Sequence, residues 1–439
     1  MQEQLKRQIG LRTATALIVG EIIAVGIFLT PAGMAKALGS PFWLLVIWIV
    51  MGAMSLCGAL CFGELAVRFP EAGGGYAYLR ESYGPLLAFL YGWMALLVMD
   101  PGLTAALATG AAKYIGYSLH LSDWGIKLWA ISIIVALALV NIRGVQLGAW
   151  FVRWLTILKL GFLAFILLWA FGFQMGDWSN FVPFVAQRPG SAPLIAALAG
   201  GVVGSFFSFA GWWDVSKVAG EVRDPSRTMP RAFVHGILIV TLVYVLTSAV
   251  FVYLVPMERV TDGQTFAAQV GEVLFGRPGA QVFSAVVIVA VVGSLAAIIM
   301  SAPRVYFAMA RDGLFFHAAA KIHPRFNTPA RSIALQAVLA SILVVLGSFE
   351  QIISYFFFVV LVFIALTVLG IFLLRHRESE VLEYSTPGYP VTPLVFLLLV
   401  IAMLILLAGD KPKQSFLGVG VVALGIPVYY FLFRRRRLR

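Results

Sequence analysis

The chain reads GEIIAVGIFLTP over Gly20–Pro31 and GSFFSFAGWWD over Gly204–Asp214. Each stretch lies in a segment apolar enough to enter a bilayer, near residues 14–37 and 193–216, and each has a glycine-centred weak point near its middle. In hydrocarbon, a helix break is tolerated only where it is buried in protein or lines a cavity. Close helix packing is the alternative role for such glycines. A corresponding pair of breaks in both halves of a chain, however, indicates a transporter's substrate site.

The composition indicates a polytopic membrane protein. The 439 residues are 61% hydrophobic and 12% charged, and their mean hydropathy is +0.94. A soluble chain could not cover so much apolar surface. The net charge of +12 lies in short loops and at the C-terminus, in Arg434–Arg437 and Arg439. This placement indicates positive-inside topology and attraction to anionic lipid head groups, and it argues against binding of nucleic acid. We expect no cofactor and no metal, because Cys57 and Cys61 alone cannot form a metal site and are predicted to be packing residues.

Twelve windows of roughly 20 apolar residues are each long enough to span a bilayer. They lie at about 14–37, 41–63, 85–110, 126–142, 154–173, 193–216, 233–255, 280–302, 332–348, 352–374, 391–409 and 415–433. With the N-terminus in the cytoplasm, 23 of the 32 Lys and Arg residues fall on the cytoplasmic side and 8 outside. The positive-inside rule therefore predicts that both termini are cytoplasmic, in a cell membrane that we expect to be a bacterial plasma membrane.

Predicted spans 1 and 6, which carry the breaks, stand five spans apart. That spacing predicts a five-plus-five inverted repeat within one transmembrane domain over residues 1–439. The first repeat is predicted at about 10–175 and the second at about 190–375. Two appended spans follow at about 388–433. The predicted fold class is therefore an all-α polytopic membrane protein with twelve transmembrane helices, of which helices 1 and 6 are broken.

The first break is predicted to bind a zwitterion through backbone atoms. If the helix unwinds at Ala24-Val25-Gly26, amides become free at the N-terminus of the outer half-helix, where the helix dipole favours a carboxylate. These would be the amides of Val25, Gly26 and Ile27. Carbonyls at the end of the inner half-helix, around Ile22 and Ile23, point the other way and suit an ammonium.

The second break repeats this arrangement. The carbonyls of Phe207, Ser208 and Ala210 become available beside Gly211. Aromatic side chains surround the break and could cover the pocket; they are those of Phe207, Phe209, Trp212 and Trp213.

Two charged residues lie in the predicted membrane interior, Glu21 directly before the first break and Lys159 within the fifth predicted span. Lys159 is expected to face the protein and to be paired or bonded to carbonyls, although snorkelling to the interface is open. Such a cation could hold the inner half-helix as a bound sodium ion does elsewhere. For Glu21 the favoured partner is Lys159, with an isolated protonated acid and a water-exposed carboxylate as alternatives. Asp100 and Asp214 lie near predicted helix ends and are interpreted as interfacial or supporting residues.

Four motifs resemble the amino acid–polyamine–organocation (APC) superfamily, and most closely the bacterial relatives of the L-type amino acid transporters, the light subunits of heteromeric transporters. GEIIAVGIFLTPAG resembles the helix-1 motif, commonly GTIIGSGIFxxP. The others are GELAVRFPEAGGGYAYLRESYG (Gly63–Gly84), FSFAGWWDVSKVAGEVRDPSRTMPRA (Phe207–Ala232) and SAPRVYFAMARDG (Ser301–Gly313) with HPRFNTPARSI after it. The matches run in order from residue 10 to about 335.

The resemblance implies a LeuT-like fold and sodium-independent exchange of L-amino acids by alternating access. By motif position, the substrate carboxylate would meet the amides of Val25, Gly26 and Ile27. The ammonium would meet the carbonyls of Ile22, Phe207 and Ala210. Phe207 would be the helix-6 gate, and Lys159 matches the family's helix-5 lysine near the sodium site of sodium-coupled relatives.

Departures from the family pattern favour small substrates. Ala24 and Val25 replace the usual Gly-Ser, Glu21 stands where threonine is common, and Trp213 stands where many members carry a smaller polar residue. A bulkier pocket predicts alanine, serine, cysteine or glycine as substrate. Animal light subunits carry a cysteine between helices 3 and 4 for a heavy subunit. The corresponding loop, Lys113–Lys127, has none, so no disulfide-linked partner is expected.

Proton-coupled amino acid uptake, with Glu21 or Lys159 titrating, is the alternative function. An enzyme is not expected, because the sequence contains no HExxH, no GxSxG and no histidine pair in mid-membrane. A receptor, which would bind without translocating, is the remaining class.

Overall fold

The computed structural model describes residues 5–24, 26–259, 266–276, 279–347, 349–377, 383–410 and 412–433. Helix makes up 82% of the structure, and no β-strand occurs among the described residues. An isolated parallel bridge joins Ile9 to Val222. The predicted all-α class is therefore confirmed.

The α-helices follow one another along the chain with short connections. They are α1 (Leu11–Ile22), α2 (Gly26–Leu38), α3 (Pro41–Arg68), α4 (Gly75–Tyr83), α5 (Pro85–Met94), α6 (Asp100–Leu119), α7 (Asp123–Ile142), α8 (Val145–Gly172), α9 (Leu194–Phe209), α10 (Pro225–Leu254), α11 (Phe266–Phe275), α12 (Gly279–Ser301), α13 (Pro303–Arg311), α14 (Ala330–Leu346), α15 (Phe349–Arg377), α16 (Val391–Asp410), α17 (Pro412–Ala423) and α18 (Gly425–Val428). Shorter turns add π-helix at Ala95–Met99 and Tyr429–Phe433, and 3₁₀ helix at Trp178–Phe181, Trp212–Glu221, Met257–Arg259 and His317–Ala320.

Ten helical segments of the described chain are long and apolar enough to cross a membrane. They correspond to ten of the twelve predicted spans. The first predicted span is divided between α1, of 12 residues, and α2, of 13. The ninth corresponds to α14, which has 17 residues. The multi-pass architecture is confirmed, and the number twelve stays a prediction.

Small residues let the helices approach closely, as is typical where lipid supplies no hydrophobic drive for helix association. A Cβ atom added to Gly52 of α3 would fall 2.3 Å from the hydroxyl oxygen of Thr241 on α10. A Cβ atom on Gly236 of α10 would fall 2.5 Å from the side chain of Ile18 on α1. These glycines fix α10 against both neighbours, and α1 is thereby held in the interior.

One end of the bundle is closed by backbone and ionic contacts; we call it the inner end, because the N-terminal segment lies there. The amides of Gln8 and Ile9 donate to the carbonyl of Glu221, at 2.7 and 2.9 Å. The Glu221 side chain accepts from Arg304 at 2.6 Å, and both side chains are almost fully buried. The N-terminal segment and α13 therefore hold the segment that follows α9 in place.

Candidate substrate site

Both predicted breaks are present. The first lies between the end of α1 at Ile22 and the start of α2 at Gly26. At the second, α9 ends at Phe209, and Gly211, with a φ of +105°, turns the chain into the 3₁₀ helix Trp212–Glu221, which we call the post-break segment. Only glycine adopts such a φ readily, which explains why the break falls there.

The two breaks touch each other. A Cβ atom on Gly26 would lie 2.7 Å from the Ser208 hydroxyl oxygen and 2.8 Å from the Ser208 Cα atom. One turn further along α2, the Thr30 hydroxyl lies 2.9 Å from the Ser208 hydroxyl. A glycine at position 26 is therefore needed for the close approach of α2 to α9, in addition to any freedom that it gives the backbone.

Tyr244 of α10 connects the two breaks on their other side. Its hydroxyl lies 3.0 Å from the Ile22 carbonyl and 2.8 Å from the Ser208 carbonyl, so it can donate to either. The fully buried ring packs against Trp48 and Phe209. Sequence analysis missed Tyr244, although a tyrosine inside an apolar span is a signal for a buried hydroxyl that needs a partner.

A cavity of about 320 Å³ lies at the two breaks, between α1, α2, α6, α9, α12 and α15. Nine residues proposed from the sequence line it: Glu21, Ile22, Ala24, Gly26, Phe207, Ser208, Ala210, Gly211 and Trp213. Ile27 is fully buried and does not line the cavity, and Val25 lies outside the described residues. The remaining wall is mostly apolar and includes Met99 of the π-helix before α6, Leu103 of α6 and Ile298 of α12.

Backbone groups that could bind a ligand lie at both breaks. Gly26 is the first residue of α2, whose first-turn amides have no acceptor inside the helix. The Ile22 carbonyl accepts from the Ala24 amide at 2.8 Å, and the Phe207 carbonyl accepts from the Ala210 amide at 3.4 Å. Because a carbonyl oxygen has two lone pairs, the Phe207 carbonyl can accept a second hydrogen bond.

Two aromatic side chains stack across the cavity wall. The rings of Phe207 on α9 and Phe357 on α15 lie 3.8 Å apart with an interplanar angle of 22°. Phe207 is 42% exposed although it sits at the break, whereas Trp213 is only 7% exposed. The stacked pair therefore forms an exposed part of the cavity wall, whereas Trp213 lines the cavity from an almost fully buried position.

Lys159 of α8 is completely interior, which excludes snorkelling. Its ammonium lies 2.9 Å from the Gly20 carbonyl, 2.7 Å from the Ile23 carbonyl and 3.3 Å from the Ser294 hydroxyl. Its exposure is 1%. Ser294 also bonds to the Gly20 carbonyl, at 2.6 Å. Lys159 and Ser294 thus satisfy the carbonyls left free where α1 ends.

The favoured pairing of Glu21 with Lys159 is wrong. The Glu21 carboxylate turns instead toward α12, where Ser301 donates to its Oε1 at 2.7 Å. The Lys159 ammonium donates instead to the backbone carbonyls of Gly20 and Ile23, at the end of α1. The helical rotation between Gly20 and Glu21 directs the carbonyl and the side chain to different neighbours, and the sequence spacing alone did not reveal this.

Of the two interpretations of Asp100 and Asp214, as interfacial or as supporting residues, the interfacial one is also wrong. Asp100 lies inside a continuous helical span, Pro85–Gly116, and both side chains are buried and line the cavity. Lys217, which the loop count assigned to the cytoplasm, is fully buried between them. Its ammonium lies 3.1 Å from Asp100 and 2.9 Å from Asp214. Tyr306 donates to the other Asp100 oxygen at 3.1 Å.

A multi-pass helical protein in which two broken helices meet at a cavity has the architecture that is typical of secondary transporters. The model of the amino acid permease family matches residues 9–433. The chain therefore belongs to the amino acid permease family, within the APC superfamily, and this family fits the LeuT-like fold.

Relatives match over nearly the whole chain. It is 31% identical to the serine/threonine exchanger SteT of Bacillus subtilis, over 98% of both proteins. It is 27% identical to the human b(0,+)-type amino acid transporter 1, over 98% of the chain and 88% of the relative. It is 29% identical to the human large neutral amino acids transporter small subunit 2, over 97% and 80%. The predicted resemblance is confirmed, and a transporter, not an enzyme, is the class of protein.

Proposed function

We propose that this protein is a sodium-independent exchanger that moves small neutral L-amino acids across the cell membrane by alternating access. Alanine, serine, cysteine and glycine are the proposed substrates. The observation that carries the proposal is the cavity at two touching helix breaks, which is lined by residues from the end of α1, the start of α2 and the end of α9. The relatives named as amino acid exchangers or transporters support this class of substrate.

The proposed clamp holds the substrate at both ends of the zwitterion. The carboxylate meets the amides at the start of α2, where the helix dipole is positive. The ammonium meets carbonyls at the ends of α1 and α9. The proposed contacts are the amides of Val25, Gly26 and Ile27 and the carbonyls of Ile22, Phe207 and Ala210. The Tyr244 hydroxyl can donate to the Ser208 carbonyl instead of the Ile22 carbonyl, which leaves Ile22 to the ammonium when substrate binds.

Bulky residues in the wall of the cavity support a small side chain. The stacked rings of Phe207 and Phe357 bound it on one side, and Trp213 occupies volume beside the second break. The hydroxyl of Ser208, which already bonds to Thr30, is the polar group nearest to the first turn of α2. These features favour alanine, serine, cysteine and glycine over branched or aromatic amino acids.

Lys159 supports sodium independence. Its ammonium supplies a fixed positive charge to the carbonyls of Gly20 and Ile23, which a bound cation would otherwise have to satisfy. We propose that it braces the inner half of the first broken helix throughout the cycle. Predicted spans 1, 2, 6 and 7 then rock against a scaffold of predicted spans 3, 4, 8 and 9, and no disulfide-linked heavy subunit is required.

Counterflow in proteoliposomes tests this function. Purified protein is reconstituted with unlabelled alanine inside, and uptake of labelled alanine is followed in sodium and in choline buffer. We expect the same uptake in both buffers, and loss of uptake when the vesicles are empty. Competition by a panel of amino acids then defines the substrate range. Uptake that requires sodium, or that is equally fast into empty vesicles, would contradict sodium-independent exchange.

Proton-coupled uptake remains the second candidate, and Glu21 is the observation that favours it. One of its carboxylate oxygens is buried at the cavity with no hydrogen-bond partner among the described residues. The two functions differ in one measurement. A symporter accumulates alanine in empty vesicles when a pH gradient, acidic outside, is applied, whereas an obligatory exchanger does not.

A further inference from the structure

The carboxyl group of Glu21 is satisfied on one side only. Ser301 donates to Oε1 at 2.7 Å, while Oε2 has no hydrogen-bond partner in the described part of the chain. The residue is 5% exposed and lines the cavity directly before the first break. Glu64 provides the contrast within the same protein. It is fully buried, but both of its oxygens are bonded, to Arg375 and to Thr386.

The charged neighbours of Glu21 form ion pairs or hydrogen bonds with other residues. The post-break segment contributes Asp214 and Lys217, α6 contributes Asp100, and α8 contributes Lys159. The Lys217 ammonium lies between the two aspartates, and the Lys159 ammonium is bonded to backbone carbonyls. The nearby hydroxyls of α5 and α13, from Tyr91 and Tyr306, face Asp100 and Lys217.

The charges in this group balance only when one carboxyl is neutral. Three carboxylates, those of Glu21, Asp100 and Asp214, stand against two ammonium groups. With all of them ionised, the cluster carries one uncompensated negative charge in the membrane interior, which is costly. Of these three carboxylates, Glu21 is the one that forms no ion pair with either ammonium group, whereas Asp100 and Asp214 both contact Lys217. Among the described residues, no group of three His, Cys, Asp or Glu side chains could hold a metal ion in its place.

We propose that Glu21 is a proton-binding site, and that the proton must be present for the cavity to close at its inner end. A proton taken from water on the open face forms the O–H bond at Oε2 and returns to water when the site reopens. The closed inner end, held by the Glu221–Arg304 pair, represents the state in which Glu21 is neutral. This inference rests on the proposed transport function of the cavity.

The consequence is a transport rate that depends on pH through a single carboxyl group. Alkaline solution removes the proton, and the ionised carboxylate opposes closure because it would be buried without a partner. Above the midpoint, we expect the alanine counterflow rate to fall about tenfold per pH unit, as for one titrating proton. Below the midpoint, the rate is constant.

The experiment measures alanine counterflow from about pH 5 to about pH 9, with the same pH on both sides of the membrane. Glu21→Gln, which imitates the neutral acid, is expected to give a rate independent of pH. The matched control is Glu71→Gln, which removes a carboxyl paired with Arg80 outside the cavity. Burial raises the pKa of the Glu71 carboxyl above its usual value, so it is a competing source of a pH effect. This control is expected to keep the wild-type profile.

A second variant keeps the proposal testable if Glu21→Gln does not fold or transport. Ser301→Ala removes the hydroxyl that bonds to Oε1 and that stabilises the ionised form more than the neutral form. The midpoint of the pH profile is therefore expected to move to higher pH. An unchanged midpoint would overturn the proposal, as would a wild-type rate that is flat with pH or a Glu21→Gln profile equal to that of the wild type. Absence of any amino acid counterflow in the wild type would instead overturn the proposed function.

Discussion

At the scale of single residues, Gly26 combines two demands that no other residue meets. It begins α2, and it lies against both the side chain and the backbone of Ser208. A residue with a Cβ atom would push α2 away from α9 and separate the two breaks. The hydrogen bond between Thr30 and Ser208, 2.9 Å long, would be lost at the same time.

We therefore predict that Gly26→Ala lowers alanine counterflow by about tenfold or more, since a displaced clamp costs binding geometry. Gly33→Ala, in the same helix, is the matched control, because an added Cβ atom there meets nothing within 4 Å. Combining Gly26→Ala with Ser208→Gly should not restore the rate, because the Ser208 Cα atom also lies within 2.8 Å. Full recovery in the double variant would show that the clash involves the serine side chain alone.

Tyr244 offers a second prediction at this scale. Tyr244→Phe keeps the ring between Trp48 and Phe209 but removes the hydroxyl that can donate to a carbonyl at either break. We expect a loss of about 1 kcal/mol in stability, as for one buried hydrogen bond, together with slower counterflow. The control is Tyr83→Phe, which removes a hydroxyl bonded at 2.8 Å to the Leu366 carbonyl far along the sequence. If both variants slow transport equally, the bridge at the breaks has no special role.

At the scale of elements, the post-break segment is fixed to its surroundings by charged groups. Lys217 connects it to Asp100 of α6, and Glu221 connects it to Arg304 of α13. Both contacts are buried, so each needs its full set of partners. Any movement of this segment during transport must exchange these contacts for water or for new partners.

Lys217→Met leaves Asp100 and Asp214 without their shared cation. We predict a destabilisation of about 3–5 kcal/mol, the usual cost of breaking a buried pair by removing one partner. Adding Asp100→Asn to this variant removes one uncompensated charge and should recover part of the loss. Thermal unfolding in detergent micelles measures both changes. A double variant less stable than Lys217→Met would mean that Asp100 acts through Tyr306 and not through Lys217.

At the scale of the whole molecule, the orientation in the membrane rests on the distribution of Lys and Arg. The buried positions of Lys217 and Arg304 remove two residues from the cytoplasmic loops, but the remaining excess still favours cytoplasmic termini. We predict that Arg325→Cys, in the exposed loop before α14, reacts with a membrane-impermeant thiol reagent only in inside-out vesicles. Trp124→Cys, at the start of α7 and on the predicted outer side of the membrane, should react only in right-side-out vesicles. The reverse pattern would invert the topology.

That labelling requires a background without native thiols. Cys57 and Cys61 both lie on α3, where Cys61 is fully buried and Cys57 is partly buried. Their replacement by alanine removes packing volume but no bonded partner of the cavity. Alanine counterflow in this background, equal to that of the wild type, is the control for every labelled variant.

The sequence by itself determined the class of fold, the positions of both breaks and the buried state of Lys159. These follow from strong local signals, because a run of about 20 apolar residues has few alternatives to a membrane helix and glycine marks where such a helix can break. The motifs around the breaks also identified the superfamily. Nine of the residues that line the cavity were predicted in this way.

Only the tertiary structure decided which polar groups meet. Glu21 bonds to Ser301 and not to Lys159, Asp100 and Asp214 share Lys217, and Tyr244 connects the two breaks. These contacts join residues distant in the chain, and their geometry depends on helix rotation, which a hydropathy pattern does not specify within one or two residues. Burial then makes each pairing consequential, because a charge removed from water must find its partner or its proton inside the protein.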